Sequence, residues 1–360
     1  MNSNTYVAIM AGGIGSRFWP ASRTSRPKQF LDILDTGKTL IQGTYERFLK
    51  ICPKENIFIL THADYIDFIK EQLPDITNNQ ILAEPARKNT APCIAYAAFK
   101  IRKINKDANI IVAPSDHIIM NEDEFVRVSQ LALDFVAKEK ALVTLGIRPT
   151  RPDTGYGYIQ YLEKEIKQEI HKVKTFTEKP NKEVAETFIE SGDFLWNAGI
   201  FIWNVNTIIT AFEKFLIEIY DAFQETESNL CTENENNVIQ RAFIVSPSIS
   251  IDYGILEKAD NVYVVPSSFG WSDLGTWASL YAEKEKDFLN NAVSGHNVIA
   301  YESYNNIIQI KPEKLAVISG LENYIVVDTD DVLLICKKDE EQRIKEFTYD
   351  IKLKKGEEFL

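Results

Sequence analysis

The stretch that decides the reading is Tyr6-Val7-Ala8-Ile9-Met10-Ala11-Gly12-Gly13-Ile14-Gly15-Ser16-Arg17, near the start of a 360-residue chain. The unbroken apolar run reads as a buried strand. The glycines after it let the backbone approach a ligand closely and aim amides at phosphate oxygens, and Arg17 adds a charged fork. A plain tight turn fits the same residues. Two other phosphate-binding patterns are excluded. A dinucleotide G-x-G-x-x-G from Gly13 needs glycine where Phe18 stands, and Gly37-Lys38-Thr39 has Asp32 where a P-loop needs its first glycine.

Outward from this stretch, apolar runs alternate with segments of helical period. Tyr6 to Met10, Ile57 to Thr61, Gln80 to Ala83, Asn109 to Ala113 and Ala141 to Leu145 read as buried strands. Leu40 to Ile51, Ala63 to Leu73, Ala91 to Lys103 and Glu124 to Lys138 read as crossover helices. The expected fold is α/β, a doubly wound, mostly parallel Rossmann-like sheet. In such a sheet the loops starting at Ala11, Glu84 and Pro114 share the ligand-binding face. A second lobe follows from about Arg148 to Tyr281, with strands over Tyr156 to Tyr161, Val173 to Thr177 and Ala198 to Trp203. Beyond about Ala292 come short strands punctuated by turn residues, then a charged helical stretch, Asp339 to Lys354. The expected division is a catalytic domain over 1–285, split near 147, and a C-terminal β module over 286–360. No strict internal repeat is visible.

Composition narrows the function. A formal charge of −12 argues against a nucleic-acid partner, which needs a basic surface, but leaves room for a small anion in a cationic cleft. No segment reads as a signal peptide or membrane span, so the expectation is a cytoplasmic protein without membrane attachment. The widely spaced Cys52, Cys93, Cys231 and Cys336 suggest neither a zinc site nor a disulfide framework.

The glycine loop continues as Phe18-Trp19-Pro20-Ala21-Ser22-Arg23-Thr24-Ser25-Arg26-Pro27-Lys28-Gln29-Phe30. The whole stretch resembles the signature of the sugar-1-phosphate nucleotidyltransferases, G-G-x-G-x-R-L followed by P-K, in the Trp-Pro and Pro-Lys-Gln-Phe form of the mannose-1-phosphate guanylyltransferases. The resemblance implies a nucleotidyltransferase (GT-A-like) fold. It implies that Ala11, Gly12, Gly13, Gly15, Ser16 and Arg17 hold the nucleotide and that Lys28 neutralises phosphate charge. Glu84-Pro85-Ala86-Arg87-Lys88-Asn89-Thr90-Ala91-Pro92 resembles the family's base-recognition loop, which puts Glu84, Pro85, Asn89, Thr90 and Ala91 in the nucleotide site; the family often has arginine where Lys88 stands. Thr90 reads equally as a helix cap.

Ala113-Pro114-Ser115-Asp116-His117 resembles the family's metal-binding Asp motif and adds Ser115 and Asp116, although Asp116 could also cap a turn. His117 reads as a structural residue. On the acceptor side, the resemblance of the segments around Thr154–Ile159, Phe176–Pro180, Trp196–Phe201 and Gly270–Trp277 implies that Gly155, Tyr156, Gly157, Glu178, Lys179 and Asn197 bind the sugar phosphate. Asp273 is then the second metal carboxylate, beside Asp116. The implied catalytic set is Arg17, Lys28, Asp116, Lys179 and Asp273, with Mg²⁺ or another divalent cation. The implied reaction transfers GMP from GTP to mannose 1-phosphate.

Three readings stay open beside it: another guanylyl acceptor, another nucleotide, or a silent nucleotide-sugar sensor. The motif around Ser250 to Gly254 suggests only a helix start at Asp252. Exposed strand edges in the β module lead to an expected homodimer. Some family members continue into a cupin-like isomerase domain, and an end at Leu360 carries the expectation that this second activity is absent.

Overall fold

A computed structural model describes residues 3–167 and 169–360. The chain divides into two compact units, one built from the residues through Gly12, Thr44–Ser115 and Ile119–Trp271, the other from Gly13–Gly43, Asp116–Ile118 and Ser272–Leu360.

The first unit is built on strands β1 (Thr5–Met10), β2 (Ile57–His62), β3 (Ile81–Glu84), β4 (Asn109–Pro114), β6 (Leu142–Ile147), β7 (Tyr158–Lys167), β8 (Ile170–Thr177), β9 (Phe194–Asn204) and β10 (Val262–Ser267); β5 (Ile118–Ile119) and β11 (Trp271–Ser272) are two-residue strands. The nine long ones form a single sheet in the order β3-β2-β1-β4-β9-β6-β10-β8-β7. β1, β2, β3 and β4 pair in parallel, as the buried apolar runs predict, because helices Leu40–Phe48, Ile66–Gln72 and Thr90–Ile104 return the chain between them. Beyond β4 the sheet is mixed. β9 lies antiparallel between β4 and β6, and the hairpin β7–β8 closes that edge. The placing of β9 depends on partners about fifty to ninety-five positions away in β6 and β4, which local periodicity does not encode.

The parallel half aims the carboxyl ends of β1, β3 and β4 the same way, so Ala11, Glu84 and Ser115 follow neighbouring strands. Ser115 N donates to Met10 O at 3.0 Å, and Ala11 N to Leu60 O at 2.7 Å. Helix Thr90–Ile104 buries Ala91, Ile94, Ala95, Ala98, Phe99 and Ile101 in the core of this unit, against β1, β2 and β4 residues such as Ala8, Leu60 and Val112. Burying that many side chains, at about 25 cal/mol per Å², is the main term holding helix to sheet.

The second unit joins the loop after Gly12 to the C-terminal segment. Phe18, Trp19, Ile33, Trp277, Ile325, Leu334 and Ile344 form one apolar core, with the Phe18 and Trp277 rings 5.1 Å apart. Its β portion comprises β12 (Ala292–Ser294), β13 (Val298–Tyr301), β14 (Ile307–Gln309), β15 (Ala316–Ser319), β16 (Tyr324–Asp328) and β17 (Leu333–Lys337). These are rungs of a coil: β12, β14 and β16 stack in parallel, as do β13 and β15, with partners such as Ile307 and Ile325, or Val298 and Ala316, 18 positions apart. Buried Asn291 and Asn306 link successive turns, Asn306 Nδ2 donating to Asn291 Oδ1 at 2.9 Å. A structural repeat is therefore present where none is legible in the sequence; backbone pairing and an asparagine ladder carry it. Helix Ile344–Lys355 ends the unit. Among the described residues no helix is long and apolar enough to cross a membrane.

Candidate active site

The glycine loop is fixed by its own neighbours in the second unit. Gly15 stands at φ 66°, and a Cβ there would lie 2.6 Å from Lys28 Cβ, so only glycine lets the two segments meet. Gln29 Nε2 donates to Gly13 O at 2.9 Å, and Ser22 Oγ to Gly15 O at 2.5 Å. Arg23, one of the basic residues of the loop, is occupied elsewhere: it pairs with Asp331 and donates to Thr329 Oγ1 at 3.0 Å.

Lys28 is 3 % exposed, and its ammonium meets Asp116 Oδ2 at 2.8 Å, Asp273 O at 2.8 Å and Leu274 O at 3.0 Å. Three donors thus find three oxygens, as a buried ammonium requires. The Asp273 carboxylate curls back over its own turn, accepting from Gly275 N at 2.9 Å. Burial pushes the Asp116 carboxyl up, but the Lys28 charge and hydrogen bond, with His117, outweigh it and hold Asp116 below the ordinary carboxylate range. Gly15, Ser16, Arg17, Lys28, Asp116 and Asp273 line one cavity of about 340 Å³, together with His117, Gly275 and Lys345. Of these, Lys345 carries no signal in its local sequence.

In the first unit the residues at the ends of β3 and β8 form separate constellations. Glu84, 7 % exposed, lies against Gly12, and burial lifts its pKa to about 7 despite the opposing charge of Arg87. Pro85 opens the loop that follows. Asn89, at φ 69°, caps helix Thr90–Ile104 by accepting from Thr90 N at 2.9 Å. Thr90 is the first helical residue, not the cap, and its hydroxyl accepts from Ile251 N at 2.8 Å, while Ala91 N donates to Ile249 O.

On the acceptor side, Asn197 sits where β9 shifts register against β6. Its Oδ1 accepts from Thr144 Oγ1 at 3.0 Å and Gly199 N at 3.1 Å, and its Nδ2 donates to Asp252 Oδ1 at 3.0 Å. Gly157 faces it, and a Cβ there would stand 2.5 Å from Glu178 Oε2, so a side chain at this position would push the Glu178 carboxylate from its present place. Lys179, exposed and at φ 46°, is bonded to Glu178. Gly155 N donates to Asp153 Oδ1 at 2.8 Å, and the Tyr156 ring packs edge-on against Trp196 and Trp271. Asp252 is the first residue of a π-helical turn, Asp252–Leu256, so it does start a helical segment as expected, though a π turn and not an α-helix. Burial, reinforced by Glu178, raises its pKa to about 7. Sequence reasoning gave Asp252 no site; it is hydrogen-bonded to Asn197 and lies in the field of Glu178 and Lys179.

A family model described as nucleotidyl transferase matches residues 6–289, and one described as MannoseP isomerase/GMP-like beta-helix domain matches residues 296–349. Mannose-1-phosphate guanylyltransferase of Salmonella muenchen is 35% identical over 348 residues, covering 95% of this chain and 72% of that protein. The alginate biosynthesis protein AlgA of Pseudomonas fluorescens is 37% identical over 344 residues, covering 94% of this chain and 70% of that protein. A crystal structure described as mannose-1-phosphate geranyltransferase from Thermus thermophilus superposes with a TM-score of 0.85 at 29% identity, over 97% of this chain and 99% of that one. With a model covering most of its length and relatives 35% and 37% identical over nearly the whole chain, the chain belongs to the nucleotidyl transferase family, and its relatives include mannose-1-phosphate guanylyltransferase.

Proposed function

We propose that this protein transfers GMP from GTP to mannose 1-phosphate, releasing pyrophosphate. The observation that carries the proposal is the cavity shared by Arg17, Lys28, Asp116 and Asp273, in which cations and hard carboxylate oxygens meet a glycine loop. A phosphate oxygen of the sugar phosphate attacks the α-phosphorus; the bond to the bridging oxygen of the β-phosphate breaks, and its electrons leave with pyrophosphate. The attacking oxygen is already anionic, so no general base and no covalent enzyme intermediate are needed. The work left to the protein is positioning and offsetting charge.

Glu84, in its ionised form, accepts hydrogen bonds from the donor edge of guanine. Gly157, Glu178 and Asn197 take the sugar, and Lys179 takes its phosphate, exchanging Glu178 for a ligand oxygen. Lys28 keeps Asp116 and the Asp273 turn in place, and its charge acts on the phosphates through the field of the cavity.

The donor set fits a divalent cation of the magnesium kind. Among the described residues no group of three or more His, Cys, Asp or Glu side chains gathers as a protein cage. Asp116 and Asp273 instead offer two carboxylates in an open cavity, matching an ion that keeps water and phosphate ligands. Such an ion, held by these two residues, would supply charge neutralisation at the phosphates.

The same reading makes the protein a cytoplasmic homodimer. Its four cysteines are free thiols, and Ile299, Tyr301 and Val317 are exposed on strands β13 and β15. Light scattering at micromolar concentration tests the dimer, and a fully active monomer would contradict it. The function is tested by pyrophosphate release with GTP, UTP, dTTP, ATP and CTP, each paired with mannose 1-phosphate and glucose 1-phosphate. Release confined to GTP and mannose 1-phosphate is the expected outcome; faster release with another pair would replace the assignment.

A further inference from the structure

We infer that Lys345, delivered by the C-terminal helix, is a further binding residue of the reaction and contacts the β,γ-pyrophosphate part of the nucleotide. The inference rests on the nucleotidyl-transfer reading above and adds a residue to it.

Three contacts fix the helix Ile344–Lys355 beside the cavity within the second unit. Ile344 is 1 % exposed in the same apolar core as Phe18 and Trp277. The helix packs on the turn Ser16–Phe18 that follows the glycine loop. Just beyond its end, Trp19 Nε1 donates to Phe359 O at 2.7 Å, tying the last residues of the chain to the loop. The residue next to buried Ile344 therefore has a defined place, and Lys345 lines the cavity with Arg17, Lys28, Asp116 and Asp273.

Charge decides what Lys345 does there. Several cations around the loop are committed: Lys28 to Asp116 and two carbonyls, Arg23 to Asp331, Lys352 to Glu357. Among the described residues neither Arg17 nor Lys345 has a carboxylate partner. Asp116 and Asp273 together outweigh the single charge of Lys28, so a triphosphate entering this cavity needs further cations, and these two are available. Lys345 is exposed and lines a neighbouring groove as well, with Trp19, Arg23 and Tyr349. An exposed cation at the rim meets the end of the ligand that departs to solvent. In this reaction that end is pyrophosphate.

The test compares Lys345→Ala and Lys345→Arg with wild type in two assays. Calorimetric titration with inorganic pyrophosphate in the presence of Mg²⁺ reads binding without turnover. Steady-state kinetics in both directions give KM for GTP, mannose 1-phosphate, pyrophosphate and GDP-mannose. Loss of one charge-assisted contact at an exposed position weakens its ligand about tenfold. Lys345→Ala is expected to raise the Kd and KM of pyrophosphate and the KM of GTP by about that factor, with GDP-mannose and mannose 1-phosphate within about twofold; Lys345→Arg keeps most of the affinity. Unchanged pyrophosphate binding in Lys345→Ala would overturn the inference, and so would equal weakening of pyrophosphate and GDP-mannose. If wild type binds pyrophosphate through Lys345 but makes no GDP-mannose, the inference stands and the assigned substrates fall.

Discussion

Two groups of buried or partly buried carboxylates in this protein are shifted in opposite directions. In the second unit, Asp116 is lowered because Lys28 lies 2.8 Å away and outweighs the penalty of burial. In the first unit, Glu84 and Asp252 are buried with weaker compensation, and burial lifts both to about 7. The contrast teaches which chemistry each region suits. Acids held ionised by a cation are ready for a divalent ion and for the charge balance of phosphates. Acids poised near neutrality exchange hydrogen bonds with uncharged groups, such as a base edge or sugar hydroxyls, and a ligand can choose their protonation state.

The largest effect should come from the ionised group. Asp116→Asn and Asp273→Asn are each expected to lower kcat by about 100-fold or more, with the double variant little worse than either, because groups acting as a unit are not additive. The measurement is kcat against Mg²⁺ concentration for all four proteins after their folding is checked. Losses that multiply, with an unchanged magnesium dependence, would separate the two residues and break the comparison at its first term.

Next comes the cation itself. Lys28→Met removes an ammonium that is 3 % exposed and leaves Asp116 and two backbone carbonyls without their donor. A loss of about 1–3 kcal/mol in urea unfolding is expected, with turnover falling as well. A variant with full stability would mean that Lys28 contributes only at the phosphates.

On the acceptor side, Lys179→Ala should raise KM for the sugar phosphate roughly tenfold or more, corresponding to about 1.5–3 kcal/mol for a charge-assisted bond, and change KM for GTP far less. Equal effects on both substrates would move Lys179 to the nucleotide.

The smallest effect sharpens the comparison through pH. Folded Glu84 keeps its proton up to about pH 7, whereas its ordinary value is 4.5, so the folded state binds more protons in between and stability falls as pH rises through that window. Glu84→Gln should flatten this slope by on the order of 1–3 kcal/mol in ligand-free protein. In wild type, GTP affinity should drop as pH is lowered through 7, because guanine needs the ionised carboxylate, and in Glu84→Gln that dependence should vanish. An unchanged stability slope in the variant would place the Glu84 carboxyl in its ordinary range.

What the sequence revealed follows from how local each feature is. The strand Thr5–Met10 and the loop to Arg17 were legible because strand periodicity and glycine spacing act over a few residues. The pairing of Asp116 and Asp273 as metal carboxylates was an expectation from resemblance; both line one cavity with Lys28. Three features were hidden. Lys28 spends its donors on the carbonyls of Asp273 and Leu274, and backbone partners leave no mark on residue identity. Asp252 reaches Asn197 across 55 positions, so nothing in its own segment marks it as more than a helix start. The turns of the coil are held by buried asparagines and apolar residues at a spacing that varies between rungs, and the variation conceals the repeat.

The most direct test of the whole account runs the reaction backward. Wild-type protein is incubated with labelled pyrophosphate, Mg²⁺ and either GDP-mannose or UDP-glucose, and the nucleotides are separated. The account predicts label in GTP from GDP-mannose, little in UTP from UDP-glucose, and none above background with Asp116→Asn. Absence of labelled GTP from wild type, or equal labelling from UDP-glucose, would contradict it.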